Sequence, residues 1–398
     1  MALPKWTFST RTPLSLLTAE SSLHRADLKT LFQLFKRRTR SGNYLPELDG
    51  LRFIAILLVV LFHSYVYFYP KPYPNNYTEV EGAQWISYFM AQGWFGVQVF
   101  FIISGFIITL PFAAHWIHGS RKPNIKNYLT RRFIRIEIPY FVALLLGFLI
   151  LPHISSHSYQ DLLPRLGASS LYAHSLIYSG ELNPLLPPAW TLEIEIQFYL
   201  LAPLLALLFR ISHPTLRRGT LLTLAVLSGF LPRLYTNTTM EWLDYTLAAH
   251  LPYFLLGMLM TELHLTMESP NKIGFDFIAI PLWLTLPLLL HTPSISFLVP
   301  TLLAVTMWMS MHGRALKHFL SRPWIAALGG MCYSIYLFHG AILELVKKHI
   351  VDQLIESKIE HSLHNLAPLI LTAALVFLSA PLLYLCFEKP FMPKPRQK

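Results

Sequence analysis

In the stretch LPELDGLRFIAILLVVLFHSYVYF, residues 45–68, an arginine and a histidine interrupt a long apolar run. On a helix the eleven residues from Arg52 to His63 make three turns and a little more, which puts both on one face about 16 Å apart. An imidazole titrates near neutral pH, so His63 has the chemistry of a general base that could take a proton from a hydroxyl. Asp49, three residues before Arg52, suits an N-cap that also pairs with the guanidinium.

Four further stretches carry groups that could do chemistry. PPAWTLEIEIQFYL (187–200) holds Glu193 and Glu195, about 200° apart around a helix, so the two face different surroundings. Glu195 shares a face with Thr191, and Trp190 suits an interfacial anchor. VFFIISGFIITL (99–110) sets Ser104 and Gly105 in an apolar helix, a pair that permits close helix packing and supplies one hydroxyl. NYLTRRFIRIEIPY (127–140) brings Arg132 and Arg135 onto one face; with Arg121, Lys122 and Arg131 they form either ordinary surface charge or a seat for phosphate oxygens. GGMCYSIYLFHGAILELVKK (329–348) contributes Ser334, Tyr336 and His339 to an apolar segment, the last two on one face. Snorkelling explains Arg52 equally well, and helix-start capping explains a carboxylate at Glu195. A histidine deep inside an apolar run is harder to explain in this way, with a satisfied structural role as the alternative to a functional one.

The elements that must position these groups are membrane helices. Of the 398 residues 54% are hydrophobic and 13% charged, and the mean hydropathy is +0.44, far from a soluble composition. About ten stretches are long and apolar enough to span, near 51–69, 93–112, 136–152, 191–209, 219–233, 247–265, 276–291, 294–311, 324–346 and 365–387. With the N-terminus inside, 25 of the 32 Lys and Arg fall on inner segments, which places both termini in the cytoplasm. The net charge of +11 is thereby topological, and no nucleic acid is expected. Cys332 and Cys386 fall within spans as packing residues, so neither a disulfide framework nor a metal site is expected. The expected organisation is all-α: residues 1–45 as a cytoplasmic extension, 46–390 as one membrane domain, 391–398 as a tail. Leu28 to Arg38 reads as an amphipathic helix on the inner leaflet or as a disordered tail. The proline-rich segment 153–190 reads as an irregular outer cap.

Six motifs in this order resemble the acyltransferase-3 family of multi-span membrane acyltransferases. They are LDGLR with Arg52 followed by His63, FFIISGF at 100–106, RRFIR with Arg132 and Arg135, WTLEIE ending in Glu195, YSIYLFH at 333–339 and FEKPF at 387–391. The resemblance implies an acyl-CoA donor, most often acetyl-CoA, and a hydroxyl acceptor on a cell-surface or exported carbohydrate. It also implies the bacterial cytoplasmic membrane. On this reading Arg52, Arg132 and Arg135 hold the phosphates of coenzyme A, and His63 is the general base or an acyl carrier. Glu195 orients the acceptor or the imidazole, and Ser104 or Ser334 stabilises the oxyanion. Trp190, Tyr336 and His339 complete the substrate candidates. Many members fuse an eleventh span and a hydrolase-like domain; a chain ending at Lys398 is expected to be a stand-alone form. The expected partners are the lipid bilayer and the acceptor, with a homodimer left open. The competing class is a transporter or channel in which the buried Arg, Glu and His form a pathway; consumption of acyl-CoA separates the two.

Overall fold

The computed structural model describes residues 44–68, 89–235, 241–267, 272–289, 295–346 and 366–391, and every regular element among them is helical. The amphipathic helix expected at Leu28–Arg38 and the tail from 392 lie outside the described residues. In order the helices are α1 (Pro46–Phe68), α2 (Gly96–His118), α3 (Ile125–Ile154), α4 (Tyr159–Ser170), α5 (His174–Ile177), α6 (Ala189–Leu205), α7 (Pro214–Ser228) and α8 (Leu231–Tyr235). They continue with α9 (Leu247–Thr266), α10 (Gly274–Leu289), α11 (Val299–His312), α12 (Arg314–Leu320), α13 (Pro323–Gly330), α14 (Cys332–Val346) and α15 (Leu366–Leu383).

Five stretches are long and apolar enough to cross a bilayer: Pro46–Tyr67, Phe89–His118, Ile125–Ile154, Ala189–Arg210 and Leu369–Glu388. A sixth is α13 with α14 if this pair, bent by 69°, counts as one broken span. The apolar helices α10 and α11 are shorter. The chain is thus an integral membrane protein, and its surface fits that solvent: α3 exposes Ile134, Phe141, Leu145 and Leu149, spaced to form one greasy stripe.

The α2–α9 contact is close along its length. Gly105 lies against the backbone of Phe254, and Gly257 against that of Ile102, so a methyl group at either would collide with a carbonyl. Close approach of this kind substitutes for hydrophobic driving force, which lipid does not supply. Thr109 and Thr261 satisfy themselves beside it on the carbonyls of Gly105 and Phe106.

The segment 155–188 caps one end of the bundle and departs from the irregular expectation. Ser158 accepts from the Asp161 backbone N–H while the Asp161 carboxylate accepts from the Ser158 N–H, a capping box that starts α4 despite Pro164. The S-x-x-D signature of that box stands at Ser158 and Asp161, whereas the irregular expectation rests on the prolines alone. Cys386 also differs from expectation, being exposed, whereas Cys332 is buried.

Candidate active site

A cavity of about 120 Å³ runs between α1, α2, α3, α6 and α14. Its wall on α2 extends from Val97 to Ile108, eleven residues and hence about 16 Å of helix, so it is long and parallel to the bundle. Arg52, the seventh residue of α1, and Arg132, the eighth of α3, line it near the starts of those helices, and Thr191 and Tyr336 line it toward the cap. Phe100, Phe101, Ile103 and Ile136 make the walls between them apolar.

The two guanidinium groups differ. Arg52 is bonded to Asp49, as their spacing predicts, and also lies within electrostatic reach of Glu195. Arg132 has no ion-pair partner among the described residues, a costly state for a charge in a membrane protein unless an anion joins it. The Arg135 side chain lies outside what is described.

Glu195 is held from two helices. Ser104 Oγ and Tyr199 Oη each donate to its Oε1 at 2.7 Å, and no hydrogen bond among the described residues engages Oε2. The cavity thus meets a carboxylate oxygen with its acceptor capacity intact. Thr191 and Tyr336 bond to each other at 2.6 Å and both reach the carbonyl of Pro188, at 3.1 and 2.9 Å. Only one hydroxyl proton lies between them, so whichever oxygen donates to the carbonyl accepts from the other.

His63 is not on the cavity wall. Its Nδ1 lies 2.9 Å from the carbonyl of Val59 and 3.3 Å from Nε2 of His339, with the two rings 4.8 Å apart. His339 follows Tyr336 by one turn, and the two ring centroids are 5.9 Å apart, so Tyr336 stands between the cavity and the histidine pair. Among the described contacts none joins His63 to Glu195.

Two candidates lie elsewhere. Ser334 donates to Glu388 at 2.9 Å and does not line the cavity. Trp190 packs edge-on to Tyr245 at 5.5 Å and beside His250 at 5.7 Å, outside the wall. The cavity adds Tyr199, Tyr333 and Cys332, which sequence reasoning passed over. Tyr199 was within reach, standing four residues after Glu195 on the same helix. Tyr333, whose hydroxyl caps the Ile136 carbonyl at 2.6 Å, gave no signal.

These features define a class: a helical membrane protein with an internal site that pairs cationic groups with a carboxylate and hydroxyls along one passage. The chain matches the family model described as acyltransferase domain over residues 45–387, and it belongs to that family. It is similar to the O-acetyltransferase OatA of Staphylococcus aureus, 25% identical over 363 residues, a match covering 80% of this chain and 54% of the relative. It is also similar to the peptidoglycan O-acetyltransferase OatA of Listeria monocytogenes, 28% identical over 206 residues, covering 49% of this chain and 30% of the relative. The chain thus spans about half the length, or less, of these curated relatives. No solved structure matches.

Proposed function

We propose that the chain is an O-acetyltransferase that takes an acetyl group from acetyl-CoA and passes it to a hydroxyl of a cell-surface or exported carbohydrate. The relatives' names support acetyl transfer to oxygen, and one of them is named for peptidoglycan. The observation that carries the reading is a cavity in which Arg132, without an ion-pair partner among the described residues, and Arg52 stand at one end and Thr191 and Tyr336 at the other. Guanidinium groups there suit the phosphates of coenzyme A, Arg135 joining them, and an apolar passage suits its acyl-bearing arm.

In this mechanism the thioester carbonyl comes to rest beside Tyr336. The acceptor oxygen attacks it, the C–O bond forms as the C–S bond breaks, His63 takes the hydroxyl proton, and coenzyme A leaves as the thiolate. Because Tyr336 stands between the cavity and His63, donor and acceptor approach it from opposite sides. Glu195, through Oε2, orients the group that enters the cavity. Ser334 donates to Glu388 away from the cavity, so Ser104, whose hydroxyl lies on the cavity wall and can swing from Glu195 to a ligand, is the donor we assign to the oxyanion. The frame for this chemistry is a bundle of about ten spans in the bacterial cytoplasmic membrane, with the termini and Arg52, Arg132 and Arg135 toward the cytoplasm, where coenzyme A is found.

Purified protein in detergent at low salt is titrated with acetyl-CoA, beside an Arg132→Ala/Arg135→Ala double variant. Micromolar binding that disappears in the variant, with free thiol released when chitotetraose is added, is the expected result. Absence of donor binding by folded wild-type protein overturns the donor assignment.

A further inference from the structure

His63 and His339 come from helices distant in sequence, yet their rings meet, and their surroundings leave little freedom in the placement of protons. A main-chain carbonyl only accepts, so the ring nitrogen that bonds to it carries the hydrogen. His339 Nδ1 is 2.7 Å from the carbonyl of Tyr336 and is therefore the protonated nitrogen of a neutral ring, leaving Nε2 with a lone pair. His63 Nδ1 is 2.9 Å from the carbonyl of Val59 and must likewise carry its proton. That proton also faces the His339 lone pair, 3.3 Å from Nδ1 to Nε2, and is shared between the two acceptors. The remaining nitrogen, Nε2 of His63, is a lone pair that no hydrogen bond occupies among the described residues.

We infer that His339 is a positioning residue that holds the Nδ1 proton of His63, so that Nε2 of His63 is the basic atom of the transfer site. The Val59 carbonyl belongs to the helix that carries His63 and cannot by itself fix the ring plane against the neighbouring helix. His339 supplies the second point, from α14, and is itself fully buried and fastened to its own helix. When His63 Nε2 takes the acceptor's proton, the imidazolium that forms keeps its Nδ1–H directed at a neutral ring. The pair thus holds one positive charge at most, because a proton on His339 Nε2 would face the Nδ1–H of His63 with no lone pair between them. The inference rests on the proposal that His63 is the base, but the ring arrangement can be tested without it.

Diethyl pyrocarbonate reacts with an unprotonated imidazole nitrogen, and mass spectrometry of the full chain in detergent reads its rate at His63 with neither donor nor acceptor present. His339→Leu removes the lone pair, whereas His339→Gln returns an acceptor oxygen at similar reach. We expect His339→Leu to slow labelling of His63 and to lower kcat for acetyl transfer to chitotetraose by about 10- to 100-fold, part of the roughly 10²–10⁴ that a positioned base supplies. Acetyl-CoA binding should be unchanged, and His339→Gln should restore most of both losses. A folded His339→Leu variant that keeps wild-type labelling and kcat, or a His339→Gln variant no better than it, overturns the inference. Should the leucine variant not fold, His339→Asn, which keeps a donor near the Tyr336 carbonyl but withdraws the acceptor, decides in its place. If labelling follows the expected pattern while His63→Gln retains full transfer, the histidine pair stands and the base assignment falls.

Discussion

Glu193 and Glu195 stand two residues apart on α6 and serve different surroundings, the cap and the cavity. Glu193 is fully buried and accepts the backbone N–H groups of His174 and Ser175, at 3.1 and 2.9 Å, so its carboxylate is the peg on which the cap hangs. Glu195 accepts from two side-chain hydroxyls and turns an oxygen without a described partner toward the cavity. The difference lies in the donors. Backbone N–H groups cannot rotate away, so a carboxylate they hold is structure, while hydroxyls can swing to a ligand and leave the carboxylate usable. A third carboxylate, Glu262, extends the contrast: it is clasped by Arg217 and Arg218 at 2.7 Å each and binds α7 to α9.

The sharpest way to break this comparison is to neutralise each acid in turn. Glu195→Gln is expected to cut kcat about 100-fold or more while the melting temperature barely moves, since the amide keeps the shape but not the charge. If Glu193→Gln lost as much activity with as little change in stability, the contrast would be wrong. Next in size comes Glu262→Ala. It leaves the buried Arg217 without its carboxylate, for which about 3–5 kcal/mol of destabilisation is expected, read as a fall in melting temperature with acetyl-CoA affinity intact. Glu193→Ala strands two buried N–H groups at about 1–3 kcal/mol apiece. Its signature is faster hydrogen exchange through residues 170–185, with donor binding unaltered.

The smallest effect sharpens the role of the cap. Burial, with Arg165 beside it, pushes the His174 imidazole down from 6.5 to about 4. A histidine whose folded value is depressed favours the fold in its neutral form, so the contribution is complete above about pH 6.5 and declines as pH falls toward 4. Limited proteolysis of the cap should therefore be faster at pH 5.5 than at 7.5. His174→Gln should flatten that dependence, and an unchanged dependence would remove His174 from the account.

What could be read in the sequence was what lies within one helix. The Asp49–Arg52 pair, the opposed directions of Glu193 and Glu195, and the shared face of Thr191 and Glu195 all follow from helical spacing. What could not be read was which helices touch. Ser104 meets Glu195 across 91 positions, and His63 meets His339 across 276, because α1, α2, α6 and α14 converge on one axis. No periodicity encodes that convergence. Ser334 shows the converse, since a polar residue in an apolar helix satisfied itself on Glu388 rather than facing the cavity. The α4 capping box was legible at Ser158 and Asp161 but went unread, and the prolines behind the irregular expectation are tolerated by a helix that other contacts hold.

Tyr336 carries one further consequence. Its hydroxyl, with Thr191, is moored to the carbonyl of Pro188 where the cavity ends, and the histidine pair lies behind it. A membrane that stores energy as a proton gradient cannot accommodate a wetted passage with an arginine at one end and imidazoles at the other, because protons would run down it. Moored where the cavity ends, the phenol closes it on that side, so on the proposed mechanism the group that shapes the transfer site would also keep protons from reaching the imidazoles along the cavity.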